Sequence, residues 1–292
     1  MMQSPNIQAF FDEPTNSVSY LVSDPGTRCA AVIDPVLDYD AASGKVTCDS
    51  ANRVLAAAKE QGLTLQWVLE THCHADHLSA AAYIRRVSGA HIVIGEHIRE
   101  VQRIFSDVFN LDNISETGEE FDKLARDGET FVLGNMKIAV MHTPGHTPAC
   151  VSYRIGDAVF VGDTLFMPDY GTARADFPGG DARTLYRSIR RLLDLPPRTR
   201  MFLCHDYKAP GRDEYAWETT VADQRQQNVH VRDGISESDF AAMRIERDAT
   251  LPAPKLLLPS VQVNIRAGRL PPPESNGVSY LKIPVKLHAR LT

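Results

Sequence analysis

The sequence predicts an α/β fold, and three patterns carry that prediction. Short β-rich runs alternate with helical stretches through the first third of the chain. Two consecutive β-hairpins occupy the middle. A strand hands over directly to a run of histidines that opens the next element. Val18-Ser19-Tyr20-Leu21-Val22 and Ala30-Ala31-Val32-Ile33 are β-rich runs split by the turn Asp24-Pro25-Gly26. Residues 52–61 read as a helix stopped by Gly62. Trp67-Val68-Leu69 is a buried-type strand that runs straight into Thr71-His72. A helix is expected over residues 78–87, ending at Gly89, and His91-Ile92-Val93-Ile94 is the next strand. Ile98, Val101, Ile104, Phe105, Val108 and Phe109 follow helical spacing. Thr130-Phe131-Val132-Leu133 and Lys137-Ile138-Ala139-Val140 flank the turn Gly134-Asn135. Val151-Ser152-Tyr153-Arg154-Ile155 and Ala158-Val159-Phe160-Val161 flank Gly156-Asp157, and both pairs read as hairpins. Leu185, Ile189, Leu192 and Leu193 form a helix stripe terminated by Pro196-Pro197, and Met201-Phe202-Leu203-Cys204 is a strand ending at His205. Residues 217–229 and 236–247 read as helices, the second opened by Ser236 with Asp239 three positions on. Beyond Thr250 the prolines 252, 254, 259 and 271–273 predict an extended tail that wraps the domain or reaches a partner subunit.

Composition narrows the function classes. The 292 residues carry 31 Lys and Arg against 37 Asp and Glu, a formal charge of −6. The cations are scattered, so neither a nucleic-acid groove nor an anionic-membrane surface is expected. The densest basic stretch, residues 183–200, also holds Asp194 and the apolar stripe, and reads as the wet side of a helix. No apolar run approaches the ~20 residues of a membrane span, and the opening residues lack the basic-then-apolar layout of a signal peptide. Five widely spaced cysteines (Cys29, Cys48, Cys73, Cys150, Cys204) do not make a disulfide framework, and a reducing cytoplasm is the expected compartment. Cys73, Cys150 and Cys204 are expected to be buried packing residues.

The chemistry concentrates in His72-Cys73-His74-Ala75-Asp76-His77. In an extended turn His72 and His74 project to one side, while Asp76 and His77 turn the corner toward a neighbouring position. Imidazole and carboxylate together suit borderline divalent metals. Three further candidates stand at strand ends: His146 in Pro144-Gly145-His146, Asp163 in Gly162-Asp163-Thr164, and His205 in Cys204-His205-Asp206. Taken singly, each reads equally well as a turn or support residue. Together they form a constellation where α/β sheets collect functional loops.

The order His-x-His-x-Asp-His, then His, Asp and His, resembles the metallo-β-lactamase superfamily over about residues 7 to 210. The resemblance implies a four-layer αβ/βα sandwich, here with an extended C-terminal tail. It implies a catalytic domain over 1–230, with a C-terminal helix and proline-rich extension over 231–292 packed on it. Thr143-Pro144-Gly145-His146-Thr147, Gly162-Asp163-Thr164-Leu165, Arg174-Ala175-Asp176-Phe177 and His205-Asp206-Tyr207 further resemble the persulfide dioxygenases, the sulfur dioxygenases related to the human ethylmalonic encephalopathy protein. That family implies one Fe(II) per chain on His72, His146 and Asp163. His74, Asp76, His77 and His205 then act around the metal, with Asp76, His77, His205 and Arg174 in catalytic roles. Arg174 and Tyr207 are expected to touch the substrate; support of Arg174 by Asp176 or Asp163, and simple packing of Tyr207, are the alternatives. The implied substrates are glutathione persulfide, or a related low-molecular-weight persulfide, and O2. A homo-oligomer is implied, with neither nucleic acid nor membrane as partner. The segment 169–174 is longer than the family's and lacks its usual cysteine, and residues 36–50 and 97–125 look expanded. The alternative activity is a glyoxalase II-like thioester hydrolase with two zinc ions. A metal-binding sulfide or redox sensor is the non-enzymatic alternative.

Overall fold

The computed structural model describes residues 4–285. The first half contains β1 (Asn6–Asp12), β2 (Ser17–Ser23), β3 (Cys29–Ile33), β4 (Val36–Asp40), β5 (Lys45–Thr47), α1 (Asp49–Glu60), β6 (Thr64–Leu69), β7 (Leu78–Ser79), α2 (Ala81–Ser88), β8 (His91–Gly95), α3 (Ile98–Phe109) and β9 (Lys123–Ala125). The second contains β10 (Thr130–Leu133), β11 (Met136–His142), β12 (Val151–Ile155), β13 (Ala158–Phe160), α4 (Ala182–Leu193), β14 (Arg200–Phe202), β15 (Glu218–Thr220), α5 (Val221–Gln227), α6 (Glu237–Asp248) and α7 (Leu257–Asn264). One six-stranded sheet runs β1-β2-β3-β6-β8-β9 and the other β10-β11-β12-β13-β14-β15, with a small sheet β5-β4-β7 beside them.

The two-residue period of the strands builds the layers. Leu21, Ala30, Val32 and Val68 face one way, into a core shared with Ala51 and Val54 of α1 and Ile84 of α2. Their neighbours Val18, Tyr20, Val22, Ala31 and Ile33 face the other way, into a core shared with Ile138, Val140, Tyr153 and Phe160 of the second sheet. The outer face of that sheet (Val159, Val161, Met201, Leu203) packs on Leu185, Ile189 and Leu192 of α4 and on Phe240 of α6. Helix, sheet, sheet, helix is the four-layer sandwich that the resemblance implies. Parallel pairing of β13 with β14 brings the ends of both strands to one edge of the second sheet. Parallel pairing of β3 with β6 does the same for the first sheet.

Three local expectations are corrected. The helix read over 217–229 starts as an edge strand, because Glu218 pairs across to Phe202; the helix begins only at Val221, with Thr220 capping Asp223 N. The helix read over 78–87 starts at Ala81, because Leu78 and Ser79 pair with Leu37 and Val36. The tail is not extended throughout. Residues 257–264 form α7, with Val261 and Val263 fully buried. Pro259 is tolerated in its first turn, where a backbone N–H has no intrahelical partner to lose. The strand Asn6–Asp12 had no counterpart in the sequence reading; it pairs along β2 as an edge. Ser236 caps α6 by accepting from Asp239 N, as its spacing predicts. Cys73, Cys150 and Cys204 are all buried, and burial pushes the Cys73 and Cys150 thiols up to about 12.

Candidate metal centre

The site is assembled where strands of both sheets stop. β6 ends at Leu69, and the chain passes through Glu70 and Thr71 into the histidine run. Thr71 is anchored on both sides: its carbonyl accepts from Val151 N at 2.8 Å, and its N–H donates to Asp34 Oδ1 at 2.7 Å. Thr71 Oγ1 donates to Asp34 Oδ2 at 2.8 Å, so it accepts from Nδ1 of His72 at 3.0 Å. That leaves Nε2 of His72 as a bare lone pair. His146, in the connection from β11 to β12, donates from Nδ1 to the Arg174 carbonyl at 2.8 Å, which again leaves Nε2 free. Asp163 follows β13, and His205 follows β14 with its Nδ1 donating to the Asn16 carbonyl at 3.1 Å.

Two glycines make these approaches possible. Gly145 has φ +132°, and a Cβ there would lie 2.3 Å from the backbone N of Leu185. Gly162 has φ +53°, and a Cβ would lie 2.6 Å from Thr71 Oγ1. Neither position admits a side chain without displacing Leu185 in the first case or Thr71 in the second.

Nε2 of His72 lies 3.9 Å and Nε2 of His146 lies 3.7 Å from Oδ2 of Asp163. Two donors each about 2.1 Å from one ion are at most ~4.2 Å apart, so a single cation spans both gaps. Beside this trio lie His74, Asp76 and His77 as a second cluster of possible ligands. Asp76 Oδ2 accepts from Ser17 Oγ and from His77 Nδ1, each at 3.1 Å, and lies 3.4 Å from Nε2 of His205. That same Nε2 is 3.2 Å from Asp163 Oδ1. His74 turns Nε2 toward two buried carboxylates, Asp34 at 3.1 Å and Glu70 at 3.3 Å. Burial, helped by the neighbouring His74 and His146, holds His72 well below the usual imidazole range, in the neutral state a ligand needs. Burial also opposes charge on His205, but the Asp163 and Asp76 carboxylates overcome it and raise that imidazole well above its usual value.

Nε2 of His72, His77 and His205 and both nitrogens of His74 are buried without a hydrogen bond among the described residues. An unmatched buried polar atom costs about 1–3 kcal/mol. Several converging in one place, all on imidazoles whose other nitrogen or neighbouring carboxylate is fixed, fit a bound metal ion. The open side of the trio faces a cleft of about 600 Å³. Asp76, His146 and Asp163 form its floor, with Tyr170, Tyr207 and Arg174 in its wall.

Residues 12–205 match the metallo-beta-lactamase superfamily. The chain belongs to that superfamily. Metallo-beta-lactamase enzymes bind metal ions, and the site above supplies the donors for them. The chain is 54% identical to a probable metallo-hydrolase of Burkholderia pseudomallei, over 96% of this chain and 98% of that one. It is 49% identical to the beta-lactamase hydrolase-like protein of Xylella fastidiosa, over 97% of this chain but only 65% of that longer protein. It is 46% identical to Glyoxylase B2 of Dictyostelium discoideum, over 98% of both. Human mitochondrial persulfide dioxygenase ETHE1 is 28% identical over 90% of this chain and 88% of its own. Among solved structures, ETHE1 from Myxococcus xanthus superposes with a TM-score of 0.72 and 32% identity, covering 90% of this chain and all of that one.

The structure brings His72, His74, Asp76, His77, His146, Asp163 and His205 into one cluster and sets Arg174 and Tyr207 at its rim. The Arg174 guanidinium is engaged elsewhere: Nε and Nη2 fork onto Asp176 at 2.5 and 2.6 Å, and Nη1 donates to the Pro252 carbonyl at 2.8 Å. Tyr207 is 39% exposed, with its ring 5.2 Å from that of Tyr170 and 5.6 Å from that of His205. The sequence reading missed Asp34 and Glu70 against His74, Ser17 against Asp76, and Tyr170, Arg247 and Lys255 in the cleft wall. Asp34 carried a signal, since Ile33-Asp34-Pro35 is another acidic strand end. The cleft cations, far along the chain, carried none.

Proposed function

We propose that the protein is a persulfide dioxygenase holding one Fe(II) on His72, His146 and Asp163. The observation that carries the reading is the contrast between the two groups of donors. In the trio, Nε2 of His72 and of His146 stand 3.9 and 3.7 Å from Oδ2 of Asp163, beyond hydrogen-bond reach, and all three ligand atoms lie within 4.8 Å of one another, within reach of one ion. In the second group the donors lie closer, with His205 Nε2 standing 3.4 Å from Asp76 Oδ2 and 3.2 Å from the second oxygen of Asp163. Two histidines and one carboxylate facing an open cleft are the donor set of non-haem iron oxygenases. Likeness to the ETHE1 proteins supports the same reading. Iron(II) bound there supplies the electron transfer that lets O2 oxidise the outer sulfur of a persulfide. Overall, RSSH, O2 and H2O give RSH, sulfite and two protons.

The residues around the metal divide the remaining work. His205 holds a proton at Nε2 between Asp163 Oδ1 and Asp76 Oδ2, beside the reacting atoms. Tyr170 and Tyr207 wall the cleft and exclude water from one side. Arg247 and Lys255 are exposed in its rim, and no ion pair engages them among the described residues, so they suit an anionic thiol carrier such as glutathione. Arg174 acts through its carbonyl, which fixes the tautomer and direction of His146; its guanidinium lines the cleft but is held by Asp176 and the Pro252 carbonyl, so a carrier would meet it only as part of that pair.

A two-zinc thioester hydrolase is the second reading. The unpartnered Nε2 of His77, and the names of the Burkholderia and Dictyostelium relatives, favour it. One experiment separates the two: anaerobic purification, metal analysis, then O2 uptake and sulfite formation with glutathione persulfide, in parallel with S-lactoylglutathione hydrolysis under argon. One iron per chain with stoichiometric O2 uptake and sulfite supports the dioxygenase. No O2 uptake by fully iron-loaded protein, with hydrolysis by a form carrying two zinc ions, overturns it.

A further inference from the structure

We propose that Asn264, on α7 and outside the span matched to the superfamily, is a positioning residue of the metal centre. Its Nδ2 donates to the carbonyls of His74 and His77, both at 2.8 Å. Its Oδ1 accepts from Ser79 N, also at 2.8 Å. One side-chain amide thus ties down the middle, the end and the exit of the histidine run. That stretch is neither helix nor strand between Glu70 and Leu78, so few of its backbone groups have a ladder to join. Asn264 is only 5% exposed, so water does not readily take its place. The two donors and one acceptor must come from a group of this size and polarity. An aspartate would set oxygen against two carbonyl oxygens, and an apolar side chain would offer nothing. The carbonyls of residues 74 and 77 fix the 74–75 and 77–78 peptide planes, which bracket Ala75-Asp76-His77 and so limit the directions of Asp76 and His77. The inference concerns metal holding and stands whichever reaction the centre performs.

The same helix supplies its own control. Gln262 is 1% exposed and also makes three hydrogen bonds, to Leu258 O, Lys282 O and Lys282 N at 2.8–2.9 Å. None of these reaches the histidine run. Truncating Asn264 leaves buried backbone groups unmatched and truncating Gln262 leaves partly buried ones; both lower stability, but only Asn264 leads to the histidine run.

The test compares Asn264→Ala with Gln262→Ala in the full chain, using Co(II) on metal-free protein as the probe. Asn264→Ala is expected to raise the Co(II) dissociation constant about 10- to 100-fold and to change the visible spectrum of the bound ion. Gln262→Ala is expected to keep the wild-type spectrum, with a dissociation constant within about twofold, although its urea midpoint also falls. Unchanged affinity and spectrum in Asn264→Ala, or an equal change in Gln262→Ala, overturns the proposal. Wild-type protein gives an independent arm should Asn264→Ala fail to fold. Coupling is reciprocal, so Co(II) must slow amide exchange in residues 257–264 of α7 more than in residues 49–60 of α1. Equal protection of the two helices, or none in α7, also overturns it.

Discussion

Asp248→Ala tests how α6 supports the site. Asp248 Oδ1 accepts from Arg244 Nε at 2.9 Å and Nη2 at 2.6 Å, while its Oδ2 accepts from Ala175 N at 2.8 Å. Arg244 is 1% and Asp248 5% exposed. Arg244 Nη1 also reaches the Thr172 carbonyl at 3.1 Å, so the pair grips both ends of the segment 172–175. Removing one partner of a buried pair costs about 3–5 kcal/mol, because the survivor stays desolvated. Asp248→Ala also orphans the Ala175 N–H, so a loss near ~4 kcal/mol is expected. Arg244→Met strands a carboxylate that still has one donor, and a loss of ~2–4 kcal/mol is expected. In the double variant neither charge remains unpaired, and its loss should fall short of the sum by at least ~2 kcal/mol. Urea unfolding of the four metal-free proteins measures the cycle. Single losses below ~1 kcal/mol, or strict additivity, would refute the argument that this pair is a desolvated, mutually dependent unit. Arg174, whose carbonyl receives His146 Nδ1, lies inside the gripped segment, so Asp248→Ala should also weaken metal binding.

Burial, with Arg244 and Arg247 nearby, pulls the His230 imidazole down to about 4, and its Nδ1 accepts from Thr172 N. Unfolded chain, with histidine near ~6.5, binds the extra proton first, so stability should fall as pH drops from about 6.5 to 4. The loss should be about 1–2 kcal/mol after allowing for solvent screening. His230→Gln should flatten that part of the profile of urea midpoint against pH, and an unchanged slope would contradict it. Gly145→Ala, with a Cβ 2.3 Å from Leu185 N, should cost more than ~2 kcal/mol and lower metal affinity. Gly44→Ala, at φ +70° but in open space, should cost only about 1 kcal/mol; equal thermal shifts for the two would mean that backbone strain alone matters. His146→Ala should abolish the metal-dependent rise in melting temperature, which for wild type at 100 Kd of free metal corresponds to about 2.7 kcal/mol. A variant that still gains that stabilisation would remove His146 from the ligand set.

The parts of the molecule visible in the sequence were those governed by local rules. Strands that alternate between two cores, glycine-centred hairpins and the Ser236 cap depend on residues a few positions apart. The histidine run and the strand-end His146, Asp163 and His205 were legible because metal chemistry restricts residue type. What stayed hidden depends on long-range pairing. Glu218–Thr220 carries a sequence compatible with a helix, and only the free edge of β14 makes it a strand. The Arg174 side chain is equally suited to a substrate or to Asp176, and the choice is made by the fold of its own loop. Proline spacing pointed to an extended tail, whereas burial of Val261 and Val263 against the first sheet's helical layer made α7.

The bonds from α7 to the histidine run join residues 190 and 187 positions apart in the chain. At translation rates of about 5–20 residues per second, His77 is made roughly 10–40 s before the helix that fixes its carbonyl. During that interval the nascent chain displays three imidazoles and a carboxylate with no framework to select a cation. His146, Asp163 and His205 also emerge later, so a metal has no preformed seat while the histidine run alone has been made. The order of manufacture therefore makes α7, formed long after the histidine run, the element that completes the frame of the centre.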